Sequence, residues 1–110
     1  MSSVNQFAAF TIASGATKSS GFNVSLAPPR GLFIPAGFTG TTVTFEASTG
    51  NDVDGLYLPV RDATGALMQM TVVPNSYVGI YGDALLGLGW VRLVAATQVS
   101  AVSFQMALRA

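Results

Sequence analysis

The chain contains no cysteine and no histidine among its 110 residues. Without cysteine it has no disulfide, no zinc–thiolate site and no thiol nucleophile. Without histidine it lacks the commonest general base and metal ligand, and neither Ser-His-Asp nor Cys-His catalysis is possible. These two absences predict a protein that is not an enzyme and that uses no cofactor and no metal.

Charge is scarce as well. Five Lys and Arg residues balance five Asp and Glu residues, and together they make up 9% of the chain, against roughly 25% in a typical protein. Soluble monomers usually cover their surface with charge of both signs. Two explanations stay open: partners hide part of the surface in an assembly, or Ser, Thr, Asn and Gln side chains keep a small neutral domain in solution. The basic residues are scattered singly, which argues against nucleic acid, because a phosphate backbone needs clustered Lys and Arg.

Long apolar runs are also missing. The longest charge-free interval, 63–82, contains Pro74 and three glycines, whereas a membrane-spanning helix needs about 20 mostly apolar residues in succession. The N-terminal "MSSVNQFAAF" has neither the basic region nor the long apolar region of a secretory signal. We therefore expect a soluble protein that is not exported and has no membrane partner.

Alternating apolar and polar residues are what the chain does have. The segments "GFNVSL" (21–26), "TVTFEAS" (42–48) and "VSFQMALR" (102–109) each place their large apolar residues on one face, which is typical of strands with one buried side. Turn signals separate such runs at short, even spacing. The pattern predicts strands near 6–13, 21–27, 31–34, 41–48, 55–60, 66–73, 77–81, 89–95 and 99–109. We expect one all-β domain over 1–110, an antiparallel β-sandwich and most naturally a jelly roll of eight or nine short strands. A single helical turn fits only at 83–88.

The acidic residues suggest little chemistry. In "GNDVDG" (50–55), an EF-hand register would put Gly50 at the first ligand position and Arg61 at the twelfth, so two essential ligands are missing. A turn rich in Asn, Asp and Gly explains the same residues. Glu46 lies on the predicted solvent face of its strand, and each Asp lies in a turn. The sequence therefore shows no carboxylate pair facing across a cleft of the kind that glycoside hydrolysis requires.

Aromatic residues near the predicted strand ends are the remaining candidates for a site. They allow three interpretations: a stacking platform for sugars, caps on the sandwich core, or anchors in a protein interface. Phe38 lies outside the alternation, between glycines in "PAGFTG" (35–40), which predicts a loop tip in contact with a partner. The candidate contact residues are Phe38, Tyr57, Tyr77, Tyr81 and Trp90.

The order of these segments resembles small tailed-phage virion proteins of the capsid decoration, or cement, type. The resemblance runs through "GLFIPAGFTGTTVTFEAS" (31–48), "GLYLPVRDATG" (55–65), "WVRLVAA" (90–96) and "QVSAVSFQMALR" (98–109), about two-thirds of the chain. Phe38 holds a position where such proteins carry Trp as often as Phe, and the acidic stretch 49–55 is longer than usual.

The resemblance implies a jelly-roll fold and a structural role on the capsid surface of a virion, after synthesis in the host cytoplasm. It also implies the major capsid protein as partner and a homo-oligomer, a trimer or dimer on the lattice. We expect residues 1–6 to form an extended arm that orders on binding. The competing hypothesis is a carbohydrate-binding or adhesion module of a phage tail or fibre.

Overall fold

The computed structural model describes residues 5–25, 29–80 and 89–109. Within these ranges the regular structure is nine strands and one short 3-10 turn, at Asp54–Leu56. The strands are β1 (Asn5–Ile12), β2 (Phe22–Asn23), β3 (Pro29–Ile34), β4 (Thr42–Ser48), β5 (Tyr57–Pro59), β6 (Gln69–Thr71), β7 (Ser76–Gly79), β8 (Trp90–Val94) and β9 (Val102–Arg109). The predicted all-β class is confirmed, and no helix in the described part of the chain is long and apolar enough to cross a membrane. The helical turn predicted at 83–88 lies outside the described residues.

The strands form two antiparallel sheets that pack as a sandwich. One sheet has the order β1-β9-β3-β7, and the other has the order β2-β8-β4-β5 with β6 also paired to β4. The chain crosses between the sheets at each connection except those from β4 to β5 and from β5 to β6. This alternation is the jelly-roll arrangement of two Greek keys, so the predicted sandwich is confirmed.

Strands β5 and β6 together take the position of a single strand of the jelly roll, next to β4. Both pair with the same edge of β4, β5 with its C-terminal half and β6 with its N-terminal half. The chain between them protrudes as a hairpin, closed by a hydrogen bond from Met68 N to Val60 O of 2.9 Å. Asp62 shapes the tip, because its carboxylate accepts hydrogen bonds from the backbone N–H groups of Thr64 and Ala66.

The core lies between the sheets and follows the predicted alternation. Val43 and Phe45 of β4 and Phe104 and Met106 of β9 are fully buried, as the period-two pattern requires. Phe10 stacks between Phe22 and Phe104, with ring centroids 4.3 and 5.6 Å away. Aromatic contact therefore joins the two sheets at the centre of the sandwich.

Most predicted strand boundaries are displaced from those of the structure by one to three residues, and two of the differences have a clear structural cause. The strand expected from residue 55 begins at Tyr57, because Asp54–Leu56 forms a 3-10 turn. The arm was expected over residues 1–6, but Asn5 and Gln6 belong to β1 and pair with Arg109 and Leu108 in the sheet. Residues 1–4 lie outside the described ranges.

Candidate functional site

The outer side of the four-stranded sheet is a broad surface on which the described side chains that stand opposite one another carry no charge, with the exposed Arg30 of β3 beside them at the bulge between Pro29 and Gly31. We call it the neutral face, and it consists of Ala9, Thr11, Gly31, Phe33, Tyr77, Gly79, Ser103, Gln105 and Ala107. These residues share one side because they stand opposite one another in the strand register. Thr11 and Ser103 tie β1 to β9 across this face, with hydroxyl oxygens 2.9 Å apart.

An aromatic pair stands out from the neutral face. Phe33 of β3 and Tyr77 of β7 are cross-strand partners, and their ring centroids lie 4.6 Å apart at an interplanar angle of 54°. Both remain open to solvent, with 43% and 48% of their surface exposed. The Tyr77 ring lies over Gly31, where even a Cβ atom would overlap its hydroxyl group. Glycine at position 31 thus lets the tyrosine lie flat against the sheet.

The outer side of the five-stranded sheet has the opposite character, because half of the chain's ten charged residues gather there. We call this group the charged cluster; it consists of Lys18, Glu46, Asp52, Asp54, Tyr57 and Arg92. Arg92 and Glu46 stand opposite each other on β8 and β4. The Arg92 side chain is only 9% exposed, and it donates to Glu46 Oε1 at 2.7 Å and to Asp54 Oδ1 at 2.6 Å.

The guanidinium of Arg92 also covers an aromatic ring. Its central carbon lies 4.2 Å from the centroid of Tyr57, a cation–π contact. Burial acts to lower the pKa of Arg92, but the hydrogen bonds to Asp54 and Glu46 outweigh it and the pKa is raised. The hydrogen bond from Arg92 lowers the pKa of Asp54. Arg92 is therefore a fixed cation that holds the 3-10 turn onto the sheet.

Tyr57 and Asp52 close the cluster on the other side of the ring. The Tyr57 hydroxyl donates to Asp52 Oδ1 at 2.6 Å. Burial of the phenol, followed by this hydrogen bond, raises the pKa of Tyr57 well above its usual value. Gly21 adjoins the pair, and a Cβ there would overlap both the carboxylate and the hydroxyl. The acidic loop 49–55 is therefore held over the sheet by its own side chains.

The predicted exposure of Phe38 is wrong. Only 6% of its surface is open to solvent, and its ring meets Phe104 edge-on with centroids 5.4 Å apart. The buried amide of Gln98 pins the turn, since it accepts from Thr39 N and donates to Thr39 O, both at 2.9 Å. This clamp directs the loop inward, so Phe38 caps the core.

The other predicted contact residues do not form one patch. Tyr57 is also buried, under Arg92, which contradicts an accessible contact role. Tyr77 belongs to the neutral face, whereas Trp90 is half-buried on the opposite side of the sandwich, on the same face as Arg92. Tyr81 lies outside the described residues. Of the five, Tyr77 alone combines high exposure with an aromatic neighbour in the described structure.

Phe33 was missed by the sequence reasoning, although a signal for it exists. In "GLFI" (31–34), Leu32 and Ile34 alternate inward, which leaves Phe33 on the outer face. A large aromatic at an outward position is the feature to look for. Its pairing with Tyr77 cannot be predicted from the local sequence, because Tyr77 lies 44 positions later in the chain.

Fold and surfaces together describe a small jelly-roll domain with one neutral and one charged outer face. A solved structure with a similar fold is that of the SPBc2 prophage-derived protein YomS, with a TM-score of 0.55 and 18% sequence identity. The match covers 97% of this chain and 96% of that one. At this identity the likeness shows a shared fold. No family model matches the chain, and neither does any curated protein.

Proposed function

We propose that this chain is a structural phage protein that binds the exterior of the assembled capsid, as a homo-oligomer, and stabilises contacts between neighbouring capsid subunits. The observation that carries the proposal is the unequal distribution of charge between the two outer faces. Support also comes from the resemblance of the sequence to capsid decoration proteins. The fold shared with a prophage-derived protein is compatible with it.

The neutral face has the chemistry of a contact surface. Interface cores are depleted in charge and enriched in Tyr and Phe, and the exposed pair Phe33–Tyr77 fits that description. Small residues such as Gly31 and Gly79 keep the surrounding surface flat. A flat aromatic surface can bury apolar area against a capsid subunit without desolvating a charge.

The charged cluster would face away from the capsid. Asp54 leaves 85% of its side chain in solvent although it is bound to Arg92, so burying this face would strip water from a carboxylate. Its salt bridges satisfy one another within the chain and leave the cluster with no need of a partner. We assign it to holding loop 49–55 and keeping the decorated particle soluble.

The mechanism is mass action on the assembled state. A ligand that binds only assembled capsid lowers the free energy of that state relative to free subunits. A homo-oligomer on a symmetric lattice gains further from avidity, because each added contact is made at high effective concentration. The predicted partner is thus the major capsid protein in its assembled form, and the predicted location is the virion surface.

Cosedimentation with capsids that lack this protein tests the proposal. Wild-type protein should sediment with the capsids at micromolar concentration and raise their disruption temperature. Tyr77→Ala should weaken binding at least tenfold, whereas Lys18→Ala, an exposed change on the opposite face, should leave it unchanged. Absence of wild-type cosedimentation, or equal losses for both variants, would contradict the proposal.

One observation favours a second candidate, the carbohydrate-binding module. Tyr77 offers an exposed ring on a flat uncharged surface, and sugars stack on such rings. A glycan array separates the two functions: binding that Tyr77→Ala or Trp90→Ala abolishes would favour the module. Capsid binding without any glycan signal would favour decoration.

A further inference from the structure

Strand β1 is the longest edge strand in the described structure. It has eight residues, against four in β7, three each in β5 and β6, and two in β2. One side of β1 pairs with β9 along its whole length. Its other side presents backbone N–H and C=O groups of the kind that pair with a further strand.

The hydrogen bonds of Thr11 show which residues of β1 point outward. Ser20 N donates to Thr11 O at 3.2 Å, and Thr11 N reaches Ser20 Oγ at a longer 3.5 Å. The backbone groups of Thr11 therefore face away from β9. Because backbone direction alternates along a strand, those of Asn5, Phe7 and Ala9 face the same way. The structure assigns them no backbone partner among the described residues.

The shorter edges carry features that discourage pairing. Val60 N donates to Phe45 O of β4, so the preceding residue, Pro59, has its backbone toward the open edge of β5, where it offers no N–H. Pro74 stands just before β7. Proline and charge are the usual protections of edge strands. The segment "NQFAAFTI" of β1 contains neither.

We propose that β1 pairs with β1 of a second copy of this chain, antiparallel and about a two-fold axis at Phe7. Phe7 then faces Phe7 of the second copy, and Asn5 faces Ala9 on either side of the axis. All three positions direct their backbone outward, so each pair exchanges two hydrogen bonds and the contact gains about six. The segment has no charge, so self-pairing brings no like charges together. Such an edge fits a second copy of itself, since an isologous contact needs only one self-complementary surface.

The pairing has a geometric consequence for the neutral face. A two-fold axis between antiparallel strands runs perpendicular to the sheet, so the two four-stranded sheets join side by side with the same face up. Tyr77 of each copy, at the far edge of its sheet, then points to the same side. This inference rests on the homo-oligomer of the proposed function and specifies its contact, and it is tested on the purified chain alone. Failure of the dimer would refute this contact, whereas failure of capsid binding is measured separately by cosedimentation.

Molar mass in solution is the first test. Wild-type protein should have twice the chain mass of 11.3 kDa at 100 µM by light scattering. Ala9→Pro should be monomeric yet folded, because the lost N–H is outward and has no partner within the chain. Ala9→Thr keeps the N–H and should remain dimeric. A monomeric or trimeric wild-type protein would overturn the inference, and so would a dimer that survives in a folded Ala9→Pro variant.

Cysteine substitution then locates the axis, helped by the absence of native cysteine. Phe7→Cys should form a disulfide-linked dimer under mild oxidation, because the paired Cα atoms meet within the reach of a disulfide. Ala9→Cys and Thr11→Cys lie on the same strand, but their copies would be about 13 and 26 Å apart at about 3.3 Å per residue. If Phe7→Cys disturbs folding, the double variant Asn5→Cys with Ala9→Cys replaces it. Equal cross-linking at positions 7, 9 and 11, or none in either test variant, would refute the proposed register.

Discussion

The ring of Tyr77 lies across Gly31, in the space that a larger residue at position 31 would occupy. The two residues are on neighbouring strands, β7 and β3, and Phe33 supports the ring from one side. This packing makes a surface tyrosine part of a flat, ordered patch. It also means that the smallest possible change at position 31 alters the surface without reaching the core.

The first prediction concerns this contact. Gly31→Ala should rotate Tyr77 away from the sheet and weaken capsid binding about as much as Tyr77→Ala. The free energy of unfolding should change by less than about 1 kcal/mol, because the overlap is with the far end of an exposed side chain. Capsid cosedimentation and urea denaturation measure the two effects. Tyr77→Phe, which keeps the ring, is the control and should bind nearly normally; full binding by Gly31→Ala would show that the flat ring is not used.

The second prediction separates the two phenylalanines that flank the "PAG" turn. Phe38→Ala should lower the free energy of unfolding by about 3 kcal/mol, because it leaves a cavity beside Phe104. Phe33→Ala removes the same atoms from the surface and should cost about 1 kcal/mol or less. Urea denaturation of both variants measures the difference. Similar losses would mean that Phe38 does not cap the core.

The third prediction concerns acid. Hydrogen bonding by Arg92 lowers the pKa of Asp54, and hydrogen bonding by the side chain and backbone of Thr64 lowers that of Asp62. A carboxylate with a lower pKa in the folded state stabilises the fold above its unfolded pKa, which is near 3.8 for Asp, and loses this effect as pH falls through the folded pKa. Urea midpoints should therefore hold steady from neutral pH and fall below about pH 4.

Isosteric substitution identifies the groups responsible. Asp54→Asn and Asp62→Asn should each reduce the fall of the urea midpoint below about pH 4. The double variant should reduce it most. Asp52→Asn is the matched control, since it leaves the Arg92 and Thr64 hydrogen bonds in place. If the urea midpoint of the double variant falls in acid as much as that of the wild-type protein, other groups cause the loss of stability.

The fourth prediction concerns alkali. Burial and the hydrogen bond to Asp52 raise the pKa of Tyr57 above its usual 10.0. A group with a raised folded pKa stabilises the fold below its unfolded pKa, and the effect is lost as pH rises through the folded value. Stability should therefore begin to fall above about pH 10. Tyr57→Phe should reduce this alkaline loss of stability, measured by urea denaturation, whereas Tyr77→Phe, at an exposed position, should not. Equal losses in both variants would contradict the role of Tyr57.

The strand pattern shows how much of the fold is local. Period-two alternation located β4 to within one residue and the last residue of β9, although β9 begins three residues after its expected start, because one buried face per strand is a property of adjacent residues. The limits of β6 were harder to predict. Residues 66–68 were expected to begin this strand, but they belong to the protruding hairpin. The sequence around Asp62 predicts the turn of this hairpin. The length of β6, however, depends on how far the chain after the turn pairs with β4.

The contact residues show where local reasoning stops. Phe38 had the sequence of a loop tip, and only the bonds between Thr39 and the distant Gln98 turn that loop inward. Tyr57 had the sequence of an exposed strand end, and Arg92, 35 positions later, covers it. In both cases a long-range polar contact decided the exposure of an aromatic ring.

By itself, the sequence determined that this is an all-β chain with little charge and no histidine or cysteine, because composition and alternation are local properties. Tertiary structure alone decided that half of the charged residues gather on one face and the exposed aromatic pair lies on the other. Strand order brings Glu46 to Arg92 and Phe33 to Tyr77, and strand order is set by packing between sheets that no short segment encodes.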